Sequence, residues 1–295
     1  MPHLSTSPLH DRFGVIVHDL DLSDVTAETH FPAIRAAFEK HSALLFKNQT
    51  LDEDTHFNLA GLFGPIEDRQ ADERKPGEAM KLPEVSNITK EGGVTSEADL
   101  HTLNLKSNML WHVDSTFLPT PALVNILAAK IVTTEGGATE LASTRAAFAD
   151  MNPALQERLR HTWFKHRYSH SRARISPELA KLPMFNKWPD TSWRAVWQNP
   201  VTGDEAVYIA SHAFGAKGME DTEGQAFVDD VMAACTAPAY VYSHRWEVGD
   251  VLIWDQRAVL HRGTPWPYAQ KRRLVSLCVS VTEADGLAQM RPAIT

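Results

Sequence analysis

Apolar residues along the chain follow two rhythms, and the shorter one dominates. Runs such as "FGVIVHDLDL", "SALLFKN", "EVSNI", "ALVNILAAKIV", "TELAS" and "RRLVSLCVSV" are rich in β-branched residues and bounded by turn residues, so they predict strands. "LWHVDSTF" (110–117), "AYVYSHRW" and "DVLIWDQRAVLHRG" read as strands as well, and "VWQNPVTGDEAVYIAS" predicts a hairpin around "NPVTGDE". The longer rhythm is rarer. Phe31, Ile34, Ala37 and Phe38 recur at helical spacing over about 26–41, and Asp52 caps a helix that runs to Phe63 before Gly64 and Pro65. Further helices are predicted over "STRAAFADM", "PALQERLRHTW" and about 221–235. Helical crossovers are too few for a doubly wound sheet. The pattern therefore predicts a mostly β fold with flanking helices, an antiparallel barrel or jelly roll.

Two stretches interrupt these rhythms, a polar segment near 67–108 and an irregular, Trp-rich one near 168–195. Long irregular segments in a compact domain commonly serve as lids or substrate loops. No repeat and no Pro/Gly/Ser linker divides the chain, so residues 1–295 are read as a single domain carrying two loop insertions.

Composition narrows the function. A formal charge of −8 with no Lys/Arg block argues against nucleic acid as a partner, while small anionic substrates stay open through local positive charge. Cys235 and Cys278 are too few and too far apart for a disulfide framework or a Cys-based metal site, which fits a reducing compartment. The N-terminus has no apolar signal core, and no run of 18 apolar residues occurs. A cytoplasmic protein with no membrane partner is expected; a homo-oligomer is left open.

Candidate chemistry starts at "LWHVDSTF". On a strand, side chains two apart share a face, so His112 and Asp114 project together and Val113 the other way. Among 14 His, about one His-x-Asp is expected by chance, and a buried His paired to a carboxylate would account for it. His261, closing the apolar run "WDQRAVLHRG", supplies a third ligand from another strand. Two His and one carboxylate on one face of a metal leave three positions open, the arrangement of non-haem Fe(II) oxygenases rather than of closed structural zinc sites. His161, His166, His170 and His244 lack ligand spacing, and the two "EGG" tripeptides at 91–93 and 135–137 are turn signals rather than phosphate loops.

In order and spacing, "SPLHDRFGVIVHDLDL", "ALLFKNQTL", "FGPIED", "VSNIT", "LWHVDSTF", "EGGATEL", "IASHAFGAKGM" and "HRWEVGDVLIWDQRAVLHRG" resemble the taurine dioxygenase and 2,4-dichlorophenoxyacetate dioxygenase family, nearer its aryloxyalkanoate branch. The resemblance implies a double-stranded β-helix (jelly roll) core and Fe(II), 2-oxoglutarate and O2 as cofactor and cosubstrates. His112, Asp114 and His261 match the iron ligands and so the catalytic centre; Thr139 and Arg272 match the pair that holds the far carboxylate of 2-oxoglutarate, with Trp254 beside it. A planar, permanently charged guanidinium suits that role. Asn87, His212, Val113 and Ser276 are the substrate-side candidates.

Ser276 departs from the family, which has there a second Arg, 15 residues after the last iron-binding His, gripping the substrate's anionic group. Arg273 would face the opposite side of its strand; Arg69, Lys75, Lys81, Lys90 or a cation of "KHRYSHSRAR" (165–174) could serve instead. The implied reaction is hydroxylation of a small anion, foremost an aryloxyalkanoate of the 2,4-dichlorophenoxyacetate or dichlorprop type, which collapses to a phenol and an oxo-acid while 2-oxoglutarate yields succinate and CO2. A sulfonate or amino-acid derivative is the alternative substrate. A non-catalytic, metal-containing jelly-roll binding protein is the alternative of another class, and a cosubstrate clamp at Thr139 and Arg272 speaks against it.

Overall fold

The computed structural model describes residues 4–292, so the outermost residues of the expected 1–295 domain lie outside the described residues. In chain order, β1 (Ser5–Pro8) and β2 (Val15–His18) pair antiparallel, and α1 (Phe31–His41) follows. This helix starts later than its periodicity suggested, because Thr26 to His30 form turns. After β3 (Ala43–Phe46) comes α2 (Glu53–Phe63), where the Asp52 carboxylate accepts the Thr55 N–H as the cap pattern requires. The polar segment holds β4 (Glu84–Ser86) and an unforeseen helix, α3 (Leu100–Ser107), capped by Asp99. Its mostly polar surface carries little of the periodic signal that betrays a helix.

Next are β5 (Ala122–Ile131), β6 (Thr139–Ser143), α4 (Thr144–Asp150), α5 (Pro153–Arg160) and β7 (Trp163–His166). The helix expected over "PALQERLRHTW" thus stops at Arg160, and its last Trp opens a strand. The Trp-rich stretch is partly regular: α6 (Tyr168–Ala173), α7 (Pro177–Ala180) and β8 (Thr191–Arg194). The hairpin is present as β9 (Val196–Gln198) and β10 (Glu205–Val207). The chain ends with β11 (Ala213–Ala216), α8 (Asp221–Cys235), β12 (Val241–His244), β13 (Val251–Asp255), β14 (Val259–Gly263), β15 (Arg273–Ser280) and α9 (Leu287–Met290).

Two strand expectations need correction. Residues 110–117 are turns apart from one bridge at His112, and Ser115 takes the left-handed region (φ 62°). The Asp-Ser-Thr run there is turn chemistry, which outweighs the apolar flanks. The run "DVLIWDQRAVLHRG" is two strands rather than one. β13 lies inside a seven-stranded sheet of order β1-β2-β3-β13-β5-β15-β4, whereas β14 joins a three-stranded sheet of order β12-β6-β14.

Alternation on the large sheet assigns its two faces. Leu44, Phe46, Ile126, Val251, Ile253, Val275 and Leu277 pack with Ile34 and Phe38 of α1 and Leu59 and Phe63 of α2. Ala43, Leu45, Leu127, Leu252, Trp254 and Leu274 face the other way, toward Leu141 of β6 and Val259 of β14. β13 is buried on both faces, which explains its unbroken apolar sequence. Among the described residues no helix is long and apolar enough to cross a membrane.

The turn joining β13 to β14 is pinned by buried charge. Arg257 is 2% exposed and donates to Asp255 at 2.9 Å and to Glu39 of α1 at 2.5 Å. Glu39 also accepts from Arg35 and from the Asn199 amide. Breaking a buried ion pair from one side strands the other charge. Arg257→Met is expected to lower stability to urea by about 3–5 kcal/mol; a loss below about 1 kcal/mol would show that Glu39 and Asp255 tolerate burial without it.

Candidate active site

His112 and His261 are brought together by backbone. Each donates its N–H to the other's carbonyl at 2.9 Å, a single antiparallel bridge that extends the β14 edge. Their rings lie 4.0 Å apart, centroid to centroid. Beyond the buried Val113 the chain turns at Ser115, and this turn returns the Asp114 carboxylate to the same side. One ligating atom from each of His112, Asp114 and His261 lies within 4.8 Å of the others, a cluster that can hold a metal ion. The expected juxtaposition is thus present, though its route is a turn rather than strand alternation.

The protonation of the three suits a metal. His112 Nδ1 is 2.7 Å from the Leu110 carbonyl, which can only accept, so the proton sits on Nδ1 and Nε2 keeps its lone pair. Burial lowers the pKa of His112 and pushes His261 down to about 3. Burial opposes ionisation of Asp114, yet the neighbouring His261 and His112, the Arg69 guanidinium and the Asn125 amide outweigh it and hold the carboxyl well below its ordinary range. Neutral imidazoles and an ionised carboxylate are what metal ligation requires.

Residues the sequence reading missed orient that carboxylate. Asp114 Oδ2 accepts from Gln256 Nε2 at 2.6 Å and from Asn125 Nδ2 at 2.9 Å, and the Cys278 thiol lies 3.5 Å away. Trp254, Asn125 and Cys278 are opposite one another on β13, β5 and β15, one row on the cavity side of the large sheet. Ser276, one position along the same face, donates its hydroxyl to Asn125 Oδ1 at 2.9 Å and fixes which way that amide points. A lone Asn inside "ALVNILAAKIV" was the available signal, since an apolar strand keeps a buried amide only where it finds partners.

A cavity of about 620 Å³ opens over the three residues. Thr139, Trp254 and Arg272 line it. Arg272 is 4% exposed, donates Nε and Nη2 to the Gly137 carbonyl, and lies 4.8 Å from the Trp266 ring centroid. Among the described residues no carboxylate comes within ion-pair distance of it. Burial lowers its pKa to about 10, so it is still charged at neutral pH. Gly137 has φ +66°, and a Cβ there would stand 3.1 Å from Arg272 Nε, so the guanidinium's seat needs a glycine. Thr139 Oγ1 accepts from Trp246 Nε1 at 3.0 Å, which leaves its own proton to donate.

Three substrate-side expectations change place. Val113 packs in the core behind the cluster, and Asn87 is fully buried. The Asn87 amide donates to the carbonyls of Tyr268 and Gln270 and accepts the Arg272 N–H, so it shapes the loop that carries Arg272 rather than facing the cavity. His212 stands behind His112, ring centroids 6.3 Å apart, between Thr116 Oγ1 and Arg172 Nη1. Ser276 does line the cavity, with its hydroxyl turned to Asn125. Of the cations considered for the anion grip, Arg69, Lys81 and Arg172 line the cavity, whereas Lys75 and Lys90 lie outside its wall. Arg273 pairs with Glu84 on the outer face, as alternation requires.

Both irregular segments form the mouth. Met80 and Lys81 come from the first, Tyr168, Arg172, Met184 and Trp188 from the second. Lys187 joins them through Asp72 at 2.7 Å and Glu73 at 3.1 Å.

Comparison with known proteins agrees with this geometry. The model of the family described as "Taurine catabolism dioxygenase TauD, TfdA family" matches residues 5–278. The chain is 30% identical over 271 residues to the alpha-ketoglutarate-dependent 2,4-dichlorophenoxyacetate dioxygenase of Cupriavidus pinatubonensis, covering 91% of this chain and 94% of that one. It is 27% identical to the (S)-phenoxypropionate/alpha-ketoglutarate-dioxygenase of Sphingobium herbicidovorans, covering 92% and 93%. The crystal structure of AAD-2 in complex with Mn(II) and N-oxalylglycine superposes with a TM-score of 0.88 at 26% identity, over 95% of this chain and 99% of that one.

Asn125→Ala removes the amide that holds Asp114 Oδ2. Loss of such a support typically costs about 10–100-fold in metal affinity, and Mn(II) titration of the variant is expected to show a weakening of that order. Unchanged affinity would mean that Gln256 alone orients the carboxylate.

Proposed function

The chain belongs to the taurine catabolism dioxygenase TauD, TfdA family, and on that premise we propose that it oxidises a small aryloxyalkanoate anion of the 2,4-dichlorophenoxyacetate or dichlorprop type. It is an Fe(II)- and 2-oxoglutarate-dependent dioxygenase. In this reading residues 1–295 are one oxygenase domain, and the seven-stranded and β12-β6-β14 sheets are the two layers of a double-stranded β-helix. His112, Asp114 and His261 would hold the iron, two imidazoles and one carboxylate being the ligand set of non-haem Fe(II) oxygenases. Iron bound there supplies O2 activation coupled to decarboxylation of 2-oxoglutarate.

The protein's own residues orient and exclude. Arg272 and Thr139 take the far carboxylate of 2-oxoglutarate, and Trp254 walls that end of the cavity. Asn125 and Gln256 occupy one oxygen of Asp114, so the other is presented to the metal. Leu105, Met109, Met184 and Trp188 offer an apolar wall for an aryl ring, and Lys187 bridges the two irregular segments at the mouth. Hydroxylation of the carbon bearing the ether oxygen gives a hemiacetal or hemiketal. Its collapse releases a phenol and an oxo-acid. The overall balance is substrate, 2-oxoglutarate and O2 to phenol, oxo-acid, succinate and CO2.

One observation carries the reading: Arg272, buried and with no carboxylate partner among the described residues, shares a cavity with a cluster able to hold a metal. A desolvated guanidinium is costly until an anion arrives, and a merely structural metal would need no such site.

Succinate release with Fe(II), ascorbate and 2-oxoglutarate is expected to rise with aryloxyacetates or aryloxypropionates more than with taurine or amino acids. No stimulation by any aryloxyalkanoate would overturn the substrate reading. Asp114→Ala is expected to abolish this release, and full activity in that variant would remove the metal assignment. Arg272→Gln is expected to raise the KM for 2-oxoglutarate by about 10-fold or more, the worth of a charge-assisted hydrogen bond; an unchanged KM would move the cosubstrate's carboxylate elsewhere.

A further inference from the structure

The cavity has a second cationic pole, on α6. Arg172 lies in its wall and is 7% exposed, yet among the described residues no carboxylate is within ion-pair distance of it. Its polar neighbours are an imidazole and two hydroxyls. Nη1 donates to Ser171 Oγ at 2.9 Å and points at His212 Nε2 at 3.4 Å, and Nη2 points at the Tyr168 hydroxyl at 3.3 Å. Nε is buried with no hydrogen-bond partner at all. Aromatic faces support the cation from behind, with Tyr168 and Phe185 centroids at 4.4 and 5.1 Å. Such a group is rigidly held and lacks a counter-anion.

Arg69 stands on the same side of the cavity. It donates Nη2 to Ser115 Oγ at 2.9 Å, beside Asp114, and its charge is already matched by Glu67. Arg172 therefore carries the unmatched charge of this pole, as Arg272 does at the other. The reaction brings two anions into the cavity. Only one of them is 2-oxoglutarate. Ser276, where the family's substrate grip would come from β15, has its hydroxyl committed to Asn125.

We propose that Arg172, with Arg69 beside it, is the specificity-determining clamp for the carboxylate of the organic substrate, moving the anion grip from β15 to α6. The ligand class is a small carboxylate whose apolar part lies against Trp188 and Met184. Nη1 and Nη2, engaged only by hydroxyls and an imidazole, supply donors side by side in a planar guanidinium, the geometry a carboxylate accepts bidentately. Arg172 sits in the same irregular segment as Lys187, which pairs with Asp72 and Glu73 of the other segment at the mouth.

This inference rests on the proposed function, and equilibrium binding separates the two. With Mn(II) and N-oxalylglycine in place, no turnover occurs. Calorimetric titration with 2,4-dichlorophenoxyacetate and with its neutral amide reads only the charge. The wild-type protein is expected to bind the acid more tightly than the amide. Arg172→Gln is expected to weaken the acid by about 10- to 100-fold and to leave the amide within about 3-fold. Arg172→Lys should recover part of the loss, Arg69→Gln should show a smaller one, and an unchanged affinity for N-oxalylglycine would show the fold intact. The clamp is overturned if wild-type protein fails to bind the acid, if it binds acid and amide alike, or if Arg172→Gln keeps the acid's affinity. Whether a bound acid is then oxidised is read separately by succinate release, so an acid held by Arg172 but never turned over would sink the proposed reaction and leave the clamp standing.

Discussion

The turn Gln256–Ala258, bolted by the buried Arg257 between Asp255 and Glu39, is the joint on which the rest of the site hangs. β13 enters it from the middle of the large sheet and β14 leaves it in the small one. A change of sheet within three residues would splay apart unless something held it. Asp255 does so locally, accepting the Arg257 N–H and Nε, and Glu39 ties the assembly to α1. From this joint come Trp254, Gln256 and His261; the Trp254 and His261 rings meet at 4.7 Å, and Gln256 reaches Asp114. The buried charge costs desolvation, and its return is conformational: one geometry for the turn, hence one for the cluster.

Charge accounting governs the cavity in the same way. Most cations on this protein are matched in pairs such as Arg12 with Asp150 and Arg160 with Glu205. Among the described residues two arginines that line the cavity, Arg172 and Arg272, are not, and the His112, Asp114 and His261 cluster lines the same cavity. An interior that has paired its other buried guanidinium, Arg257, so completely leaves two unpaired only where something else completes them.

Ser276 shows how one substitution on a strand is absorbed. Its small hydroxyl reaches Asn125 and through it Asp114, so the position is tied to the His112, Asp114 and His261 cluster. Ser276 lines the cavity together with Leu274 and Cys278 of the same strand face. From α6, Arg172 brings a charge into the wall of the same cavity. Both irregular segments, the polar one and the Trp-rich one, contribute residues to the lining of the cavity and to its mouth.

Much of this was legible in the sequence. Periodicity alone marked most strands, the Asp52 cap of α2 and the whole of α8, because an element that buries one face must repeat its apolar residues at that element's period. His112, Asp114 and His261 stood out as candidates by residue type and by the His-x-Asp spacing, whereas Thr139 and Arg272 were picked out only by the family resemblance, because a lone Thr or Arg carries no local signal of what it faces. Other features were not local. The route of Asp114 through a left-handed turn, the splitting of "DVLIWDQRAVLHRG" between two sheets, and the partners of Asn125, Asn87 and Ser276 all depend on which strand lies beside which. A hydrogen bond from β15 to β5 crosses 151 residues of chain, and no periodicity encodes it. Arg172 looked like one charge in a basic run until packing removed its water and gave it no anion, and that distinction is one only tertiary structure can make.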